Sequence, residues 1–421
     1  MNGLLSIAFA VSDFPSLSQT FIALQIDELI SRGHRVIIVN MGRQREKAFL
    51  PQSLQNKYSS LEIINSSYAL QPGKWARRLV LCRNILINGI TFPLSSLKVL
   101  LFFIKTKNGK LFKEIHVDAY QFRTVPETNI VHCQFSTLGA RYEKLIRFGF
   151  IKKNRKKLAV SIRGYDISVY ENEADTDWLA LFRTFDLFLP VCRYFETKLR
   201  ELGCKKTIAV AGSPVNTAEL GELSARKSPH NDKTVKIISV CRFVEKKGLD
   251  TAIEAISRVV HIHKQTNFHY TIIGDGPLYK KLEQAIKQNE IVAYVSFAGK
   301  KPTTEALKEM AQADILLAPS KKGSDGNSEG IPNAVKEAMA LMLTVVSTTH
   351  AGIPEIITHG VNGYLVPEND PDSLAEIIVK LIRDRYLRDC VSDRSARQVY
   401  DNFSPEKTTD KLLSLYQNIL K

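Results

Sequence analysis

Cysteine is scarce and scattered. Cys82, Cys133, Cys192, Cys204, Cys241 and Cys390 form no CxxC pair and no cysteine–histidine cluster of zinc-ligand spacing. That excludes a disulfide framework and a structural zinc site, and fits the reduced thiols of a cytosol. No uninterrupted apolar run reaches the roughly 20 residues a membrane span needs. The most apolar stretch, Leu79 to Ile104, is broken by Arg83, Asn84, Asn88, Pro93 and Lys98. It reads either as buried helices or as helices lying in a membrane interface. No basic residue precedes the short apolar segment Leu4 to Val11, and Asp13 to Pro15 end it. A first buried strand is therefore expected there, not a cleaved signal. Repeats and low-complexity tracts are lacking, as are nucleic-acid recognition motifs and long basic helices, so no nucleic-acid partner is expected.

What is present is 421 residues, 44% of them apolar and 24% charged, enough for two domains with ordinary cores. The net charge of +15 implies an anionic partner, either a phosphate-bearing substrate or an acidic membrane surface. Two basic stretches, Lys74 to Lys113 and Lys144 to Lys157, lie in the first half. The opening alternates strand (Leu4–Val11), amphipathic helix (about Gln19–Ser31), a stop at Gly33 and a second strand, a βαβ unit. From Val235 the alternation resumes through "VKIISV", "YTIIG", "VSFAG", "ILLAPS" and "LTVVST", which predicts a second parallel sheet. Residues 212–234 are rich in turn formers and read as an interdomain connection. The domains expected are thus 1–211 and 235–404, with further helices at Ser373–Arg385 and about Pro405–Leu420.

The sharpest constellation is "SEGIPNAVKEAMA", 328–340, after the predicted strand "ILLAPS". Pro332 suits the first turn of a helix, leaving Glu329 in the loop before it and Glu337 inside. Free N–H groups at such a helix start suit a phosphate-bearing ligand, although acids there are also favoured by the helix dipole alone. In "SVCRFVEKKGLD", 239–250, Arg242 and Lys247 follow another strand. Two cations there can neutralise a departing diphosphate.

With "YTIIGDGPL", "ADILLAPS" and "VSTTHAGIPEIITHGVNGYLVPENDPDSLAEII", these segments resemble the retaining GT-B glycosyltransferases of family 4 over about residues 236–381. The resemblance implies an α/β GT-B architecture, two Rossmann-like domains facing across a cleft. The C-terminal one would hold a nucleotide sugar, the N-terminal one an acceptor, with the helix from 405 returning to the first domain. It further implies that Arg242 and Lys247 bind the donor diphosphate, Glu329 contacts the transferred sugar and Glu337 holds the ribose. Gly330, Ile331, Pro332 and Asn333 would lie against sugar and phosphates, with Gly274 in a tight turn beside the donor. "FPSLSQTF", 14–21, and "RGHRVIIV", 32–39, are similar to the branch that builds bacterial exopolysaccharide, colanic-acid-like or capsular glycans. Ser18 and Thr20 are candidates for the acceptor side, or ordinary helix caps.

Two departures from that pattern stand out. Arg163 in "SIRGYDIS" replaces the histidine many members carry before Gly-x-Asp, with Gly164 and Asp166 retained. An arginine does not give up its proton as histidine does, so Arg163 and Asp166 are expected to bind donor, not to act as acid or base. Cys241 stands where glycine is usual before the arginine. His132 in "VHCQF" reads either as an acceptor-side group or as a satisfied core histidine. "DTD" at Asp175 to Asp177 imitates a metal motif, but a capped helix start explains it without a metal, and "GDGP" at 274–277 lacks a full dinucleotide fingerprint. The expected activity is metal-independent transfer, with retention, of a hexose from a UDP- or GDP-sugar. No cofactor beyond this co-substrate is expected. The acceptor would be a growing or lipid-linked glycan, and the protein cytoplasmic and peripheral at the inner membrane face. Alternatives on the same fold are a non-catalytic sugar-nucleotide binder, an epimerase and a phosphorylase.

Overall fold

The computed structural model describes residues 3–16, 19–42, 50, 52–71, 73–153, 156–168, 177–225 and 234–421. They form two compact units, one of Met1–Val191, Glu196–Ala211 and Thr409–Lys421, the other of Cys192–Phe195 and Gly212–Thr408.

The first unit is built on seven parallel strands: β1 (Ser6–Val11), β2 (Arg35–Asn40), β3 (Glu62–Asn65), β4 (Ile130–Cys133), β5 (Lys157–Ile162), β6 (Leu187–Pro190) and β7 (Thr207–Ile208). Their order across the sheet is β3-β2-β1-β4-β5-β6-β7. β1 and β5 read as near-continuous apolar runs because helices cover both faces of such a sheet. Residues Thr409–Lys421, which include most of the last helix (Pro405–Leu420), belong to this unit, and Leu412 and Tyr416 are buried in one core with Ile7, Phe9, Ile22 and Ile26.

Leu79 to Ile104 falls in two consecutive helices, Lys74–Thr91 and Pro93–Thr106. Reading these helices as buried is corrected by their packing. Their buried side chains are Asn84, Asn88, Ser95 and Val99, while ten large apolar residues point outward. Asn88 makes the inward polarity workable by donating Nδ2–H to the His116 carbonyl at 2.8 Å. Among the described residues, no helix is long and apolar enough to cross a membrane.

The second unit carries six parallel strands: β8 (Val235–Val240), β9 (Phe268–Ile273), β10 (Val295–Gly299), β11 (Ile315–Ala318), β12 (Thr344–Thr348) and β13 (Tyr364–Val366). Their order is β10-β9-β8-β11-β12-β13. One face packs helices Leu249–His261 and Pro371–Arg383, the other Thr303–Ala311 and Asn333–Ala340. In both sheets the strand order reverses beside the first strand of the unit, the position where open α/β sheets bind ligands.

The connection expected over 212–234 is a helix for part of its length, Thr217–Ala225, with Val215 and Leu220 buried in the second core. Helix Arg385–Phe403 was not anticipated. Its apolar residues are too sparse to mark one face, and it is started by Asp384, whose side chain accepts the Leu387 N–H at 2.8 Å.

Candidate active site

In the second unit, the reversal of strand order lies between β8 and β11. Arg242 and Lys247 follow the first of these strands and Glu329 the second. The loop after β8 turns tightly enough to bring them together because of two glycines. At Gly248 (φ +63) a Cβ would lie 1.8 Å from the Pro319 carbonyl oxygen, and at Gly274 (φ +141) 1.8 Å from that of Cys241. No other residue fits either place. Gly274 thus acts as a backbone spacer for the Arg242 loop. Cys241 is accommodated against the core and its thiol pushed up to about 12 by burial, so it stays a neutral spacer.

Glu329 is the centre of the cluster. Its Oε1 lies 2.9 Å from Lys247 Nζ and 3.0 Å from Lys246 Nζ. Burial opposes its ionisation, but Lys247 and then Lys246 overcome that and hold the carboxyl at about 2. Burial likewise works against the Lys247 charge, yet Glu329 leaves its pKa above the ordinary lysine value. Lys246 also donates to Asn327 Oδ1 at 3.2 Å. Arg242 is exposed and has no side-chain partner among the described residues.

His350 fixes the loop behind Glu329. The Glu329 backbone N–H donates to His350 Nε2 at 3.0 Å, so the ring proton sits on Nδ1, which donates to Glu368 Oε1 at 2.7 Å. Neither Lys246 nor this pair was anticipated. Lys246 looks like any surface lysine in sequence, and His350 is 21 residues from the backbone group it meets.

Gly330, Ile331 and Pro332 lead into the helix Asn333–Ala340, with Pro332 as N-cap. Glu337 is half-buried on this helix, and no side-chain partner meets its carboxyl among the described residues. Burial pushes it up to about 7, countered by Lys336 and reinforced by Glu219. Lys336, its neighbour, is wholly buried and donates to the Ser213 carbonyl at 2.5 Å over the Phe403 ring.

In the first unit the structure chooses between the readings left open for His132 and Thr20 and gives Asp166 a structural role. His132 is buried, with Nδ1 2.6 Å from the Tyr416 hydroxyl and Nε2 2.8 Å from Ser161 Oγ, and burial with Arg163 nearby lowers its pKa to about 3. It is a satisfied core histidine, not an acceptor-side group. Asp166 is also buried. Its oxygens accept the backbone N–H groups of Arg163, Gly164 and Ser136 at 2.9 to 3.0 Å, so it ties two loops together in place of the expected donor contact. Thr20 opens helix Thr20–Ser31 but does not cap it, the N-cap being Gln19. Ser18 lies outside the described residues. Arg163 follows β5, stacks over Phe21 at 4.1 Å and donates to the Gln134 carbonyl and side chain. Burial lowers its pKa to about 9, still charged near neutrality.

A cavity of about 250 Å³ in this unit, lined by Met41, Ser66, Arg77, Lys113 and Arg141 among others, was not anticipated. Asp177 caps helix Trp178–Thr184 through the Ala180 N–H at 2.9 Å, as the capping reading requires, while Asp175 lies outside the described residues. Among the described residues no group of three or more His, Cys, Asp or Glu is arranged to hold a metal ion.

Residues 222–398 match the family model described as Glycosyl transferases group 1. The chain is 32% identical over 426 residues to WcaL of Salmonella typhimurium, named for colanic acid biosynthesis, covering 99% of this chain and 100% of that one. It is 32% identical to the amylovoran biosynthesis glycosyltransferase AmsK of Erwinia amylovora, covering 90% of each. Among solved structures it is similar to Anabaena HepE in complex with UDP and glucose, with TM-score 0.68, 15% identity, and coverage of 98% and 100%.

Proposed function

Because the chain belongs to the group 1 glycosyl transferases, with two parallel α/β units of the GT-B kind, we propose that it moves a hexose, with retention and without a metal ion, from a UDP- or GDP-sugar to a growing or lipid-linked glycan in bacterial surface polysaccharide synthesis. The observation that carries this reading is the cluster at β8 and β11, where two ammonium groups flank one ionised carboxylate beside an exposed arginine. Exopolysaccharide relatives that match nearly end to end support the class of product.

The chemistry follows from the charges. As the bond between the anomeric carbon and the diphosphate breaks, the electron pair moves to a phosphate oxygen. Arg242 and Lys247 stabilise that developing charge, the task a metal ion performs elsewhere. The acceptor hydroxyl forms the new bond on the face the diphosphate leaves, and its proton passes to the departing phosphate. Glu329, held at about 2, does not supply a proton at neutral pH. It accepts hydroxyl hydrogens of the hexose while its paired lysines turn toward the diphosphate. Glu337 accepts ribose hydroxyls, which supply the partner its carboxyl lacks. The backbone of Gly330 to Asn333 lies against sugar and phosphate at the helix start. Arg163 serves as a fixed charge near the donor, and Thr20 with Ser18 on the acceptor side. The protein works in the cytoplasm, peripheral to the inner membrane face.

The test is the shift in melting temperature with a panel of nucleoside diphosphates and their sugars in EDTA, for wild type and Arg242→Ala. One nucleotide should stabilise the wild type selectively and the variant little. With the matching donor, Arg242→Ala should lose about 3 kcal/mol of transition-state stabilisation, roughly a hundredfold in kcat. No shift with any nucleotide, or a strict need for a divalent ion, would overturn the reading.

A further inference from the structure

Ten of the 21 exposed large hydrophobic residues among those described fall in the helix pair Lys74–Thr91 and Pro93–Thr106. On the first helix Trp75, Leu79, Leu86 and Ile90 recur at spacings of four, seven and four, one face of a 3.6-residue period. On the second, Leu94, Leu97, Leu101 and Ile104 recur at spacings of three, four and three, again one face. Trp75 is 76% exposed and Leu94 74%. The positions turned inward are mostly asparagine and serine, so the polarity of a water-facing helix is reversed. An apolar patch of this extent on a soluble surface marks an interaction site.

Charge identifies the partner. From Glu62 to Glu114 no acidic residue intervenes, whereas nine lysines and arginines lie between Lys74 and Lys113. Lys98, Lys105, Lys107 and Lys110 are exposed around the apolar stripes, and Arg78 sits 5.1 Å over the Trp75 ring. An apolar stripe fringed by cations, on a segment that carries no carboxylate of its own, is complementary to a bilayer carrying anionic headgroups. We infer that this helix pair is the membrane-docking surface of the protein, its leucines and Trp75 seated at the boundary of headgroups and acyl chains, its lysines on anionic lipid phosphates. The inference deepens the proposed reading by assigning the membrane contact to named residues, and it rests on that reading only for the source of the membrane.

The chain has two tryptophans, of which Trp178 is buried, so a change in emission on lipid binding reports Trp75. Flotation with vesicles of phosphatidylcholine alone, or mixed with phosphatidylglycerol, tests the surface. The wild type should bind the mixed vesicles, with Trp75 emission moving to the blue and quenched by bromine on the acyl chains. Leu86→Ser/Leu94→Ser/Leu101→Ser should weaken binding by roughly tenfold or more without lowering the melting temperature. Lys105→Gln/Lys107→Gln should cost about fivefold per charge and blunt the salt dependence. Absence of flotation at low salt, or flotation with Trp75 emission unchanged, would overturn the inference. So would conversion of a dimer to a monomer by the leucine substitutions, which would make a second copy the occupant. Transfer to a detergent-solubilised acceptor separates the two readings. Vesicle binding without transfer refutes the enzymatic one and leaves this surface standing.

Discussion

Glu337→Gln should make the folded protein more stable at alkaline pH while abolishing tight donor binding. In the folded chain burial holds this carboxyl near 7, against an ordinary 4.5. At about 1.4 kcal/mol per pH unit that gap is worth about 3 kcal/mol. The sign follows from proton counting. Between 4.5 and 7 the native state holds a proton that the unfolded state has released, so stability falls as pH rises through that window and stays lower above it. At pH 5 the carboxyl is protonated in the folded chain and the penalty is under about 1 kcal/mol. At pH 8 it is nearly complete. Glutamine keeps the shape and cannot ionise. The transition raised by a nucleoside diphosphate reports the second unit, and its midpoint in Glu337→Gln should exceed the wild type by roughly 6–12 °C at pH 8 and by little at pH 5. Donor affinity in the wild type should fall as pH drops below about 7, because only the carboxylate accepts two ribose hydroxyls. A variant no more stable than wild type at pH 8 would refute the reasoning, since the carboxyl would then have a partner in the folded chain.

Three other perturbations separate positioning from packing. His350→Ala leaves the Glu329 N–H without its acceptor and should lower kcat by about tenfold at a cost of about 1–3 kcal/mol in stability, with His350→Gln, which can accept the same bond, recovering most of the rate. Gly248→Ala should destabilise the second unit by at least about 2 kcal/mol, read as a lower denaturation midpoint, because its Cβ would meet the Pro319 carbonyl. Tyr416→Phe removes a 2.6 Å partner from His132 and should cost about 1–2 kcal/mol with turnover kept. A hundredfold loss of turnover there would return His132 to the acceptor side.

The parts legible in the sequence are those governed by local pattern. Strands β1, β2 and β8 to β12 announce themselves as apolar runs between turn formers, and the loop before Asn333 is set by Pro332. Glu329, Arg242 and Lys247 could be grouped because each follows a strand, and parallel topology brings strand ends together. What stayed hidden depends on partners distant in the chain. His132 meets Tyr416 across 284 residues, and Asp166 spends its oxygens on the N–H of Ser136. The helix pair after Lys74 misled in another way. Its apolar content allows buried or interfacial helices alike, since content alone does not say which face meets protein, and here the asparagines do.

The division of the chain between units also orders its synthesis. The second unit is almost contiguous, Gly212 to Thr408, whereas the first core needs Leu412 and Tyr416. A nascent chain can complete the later unit while the earlier one still lacks two of its buried side chains. The usual N-terminal-first sequence of domain folding is therefore inverted in its final step, and the sheet begun at Ser6 is sealed only after everything up to Tyr416 has been made.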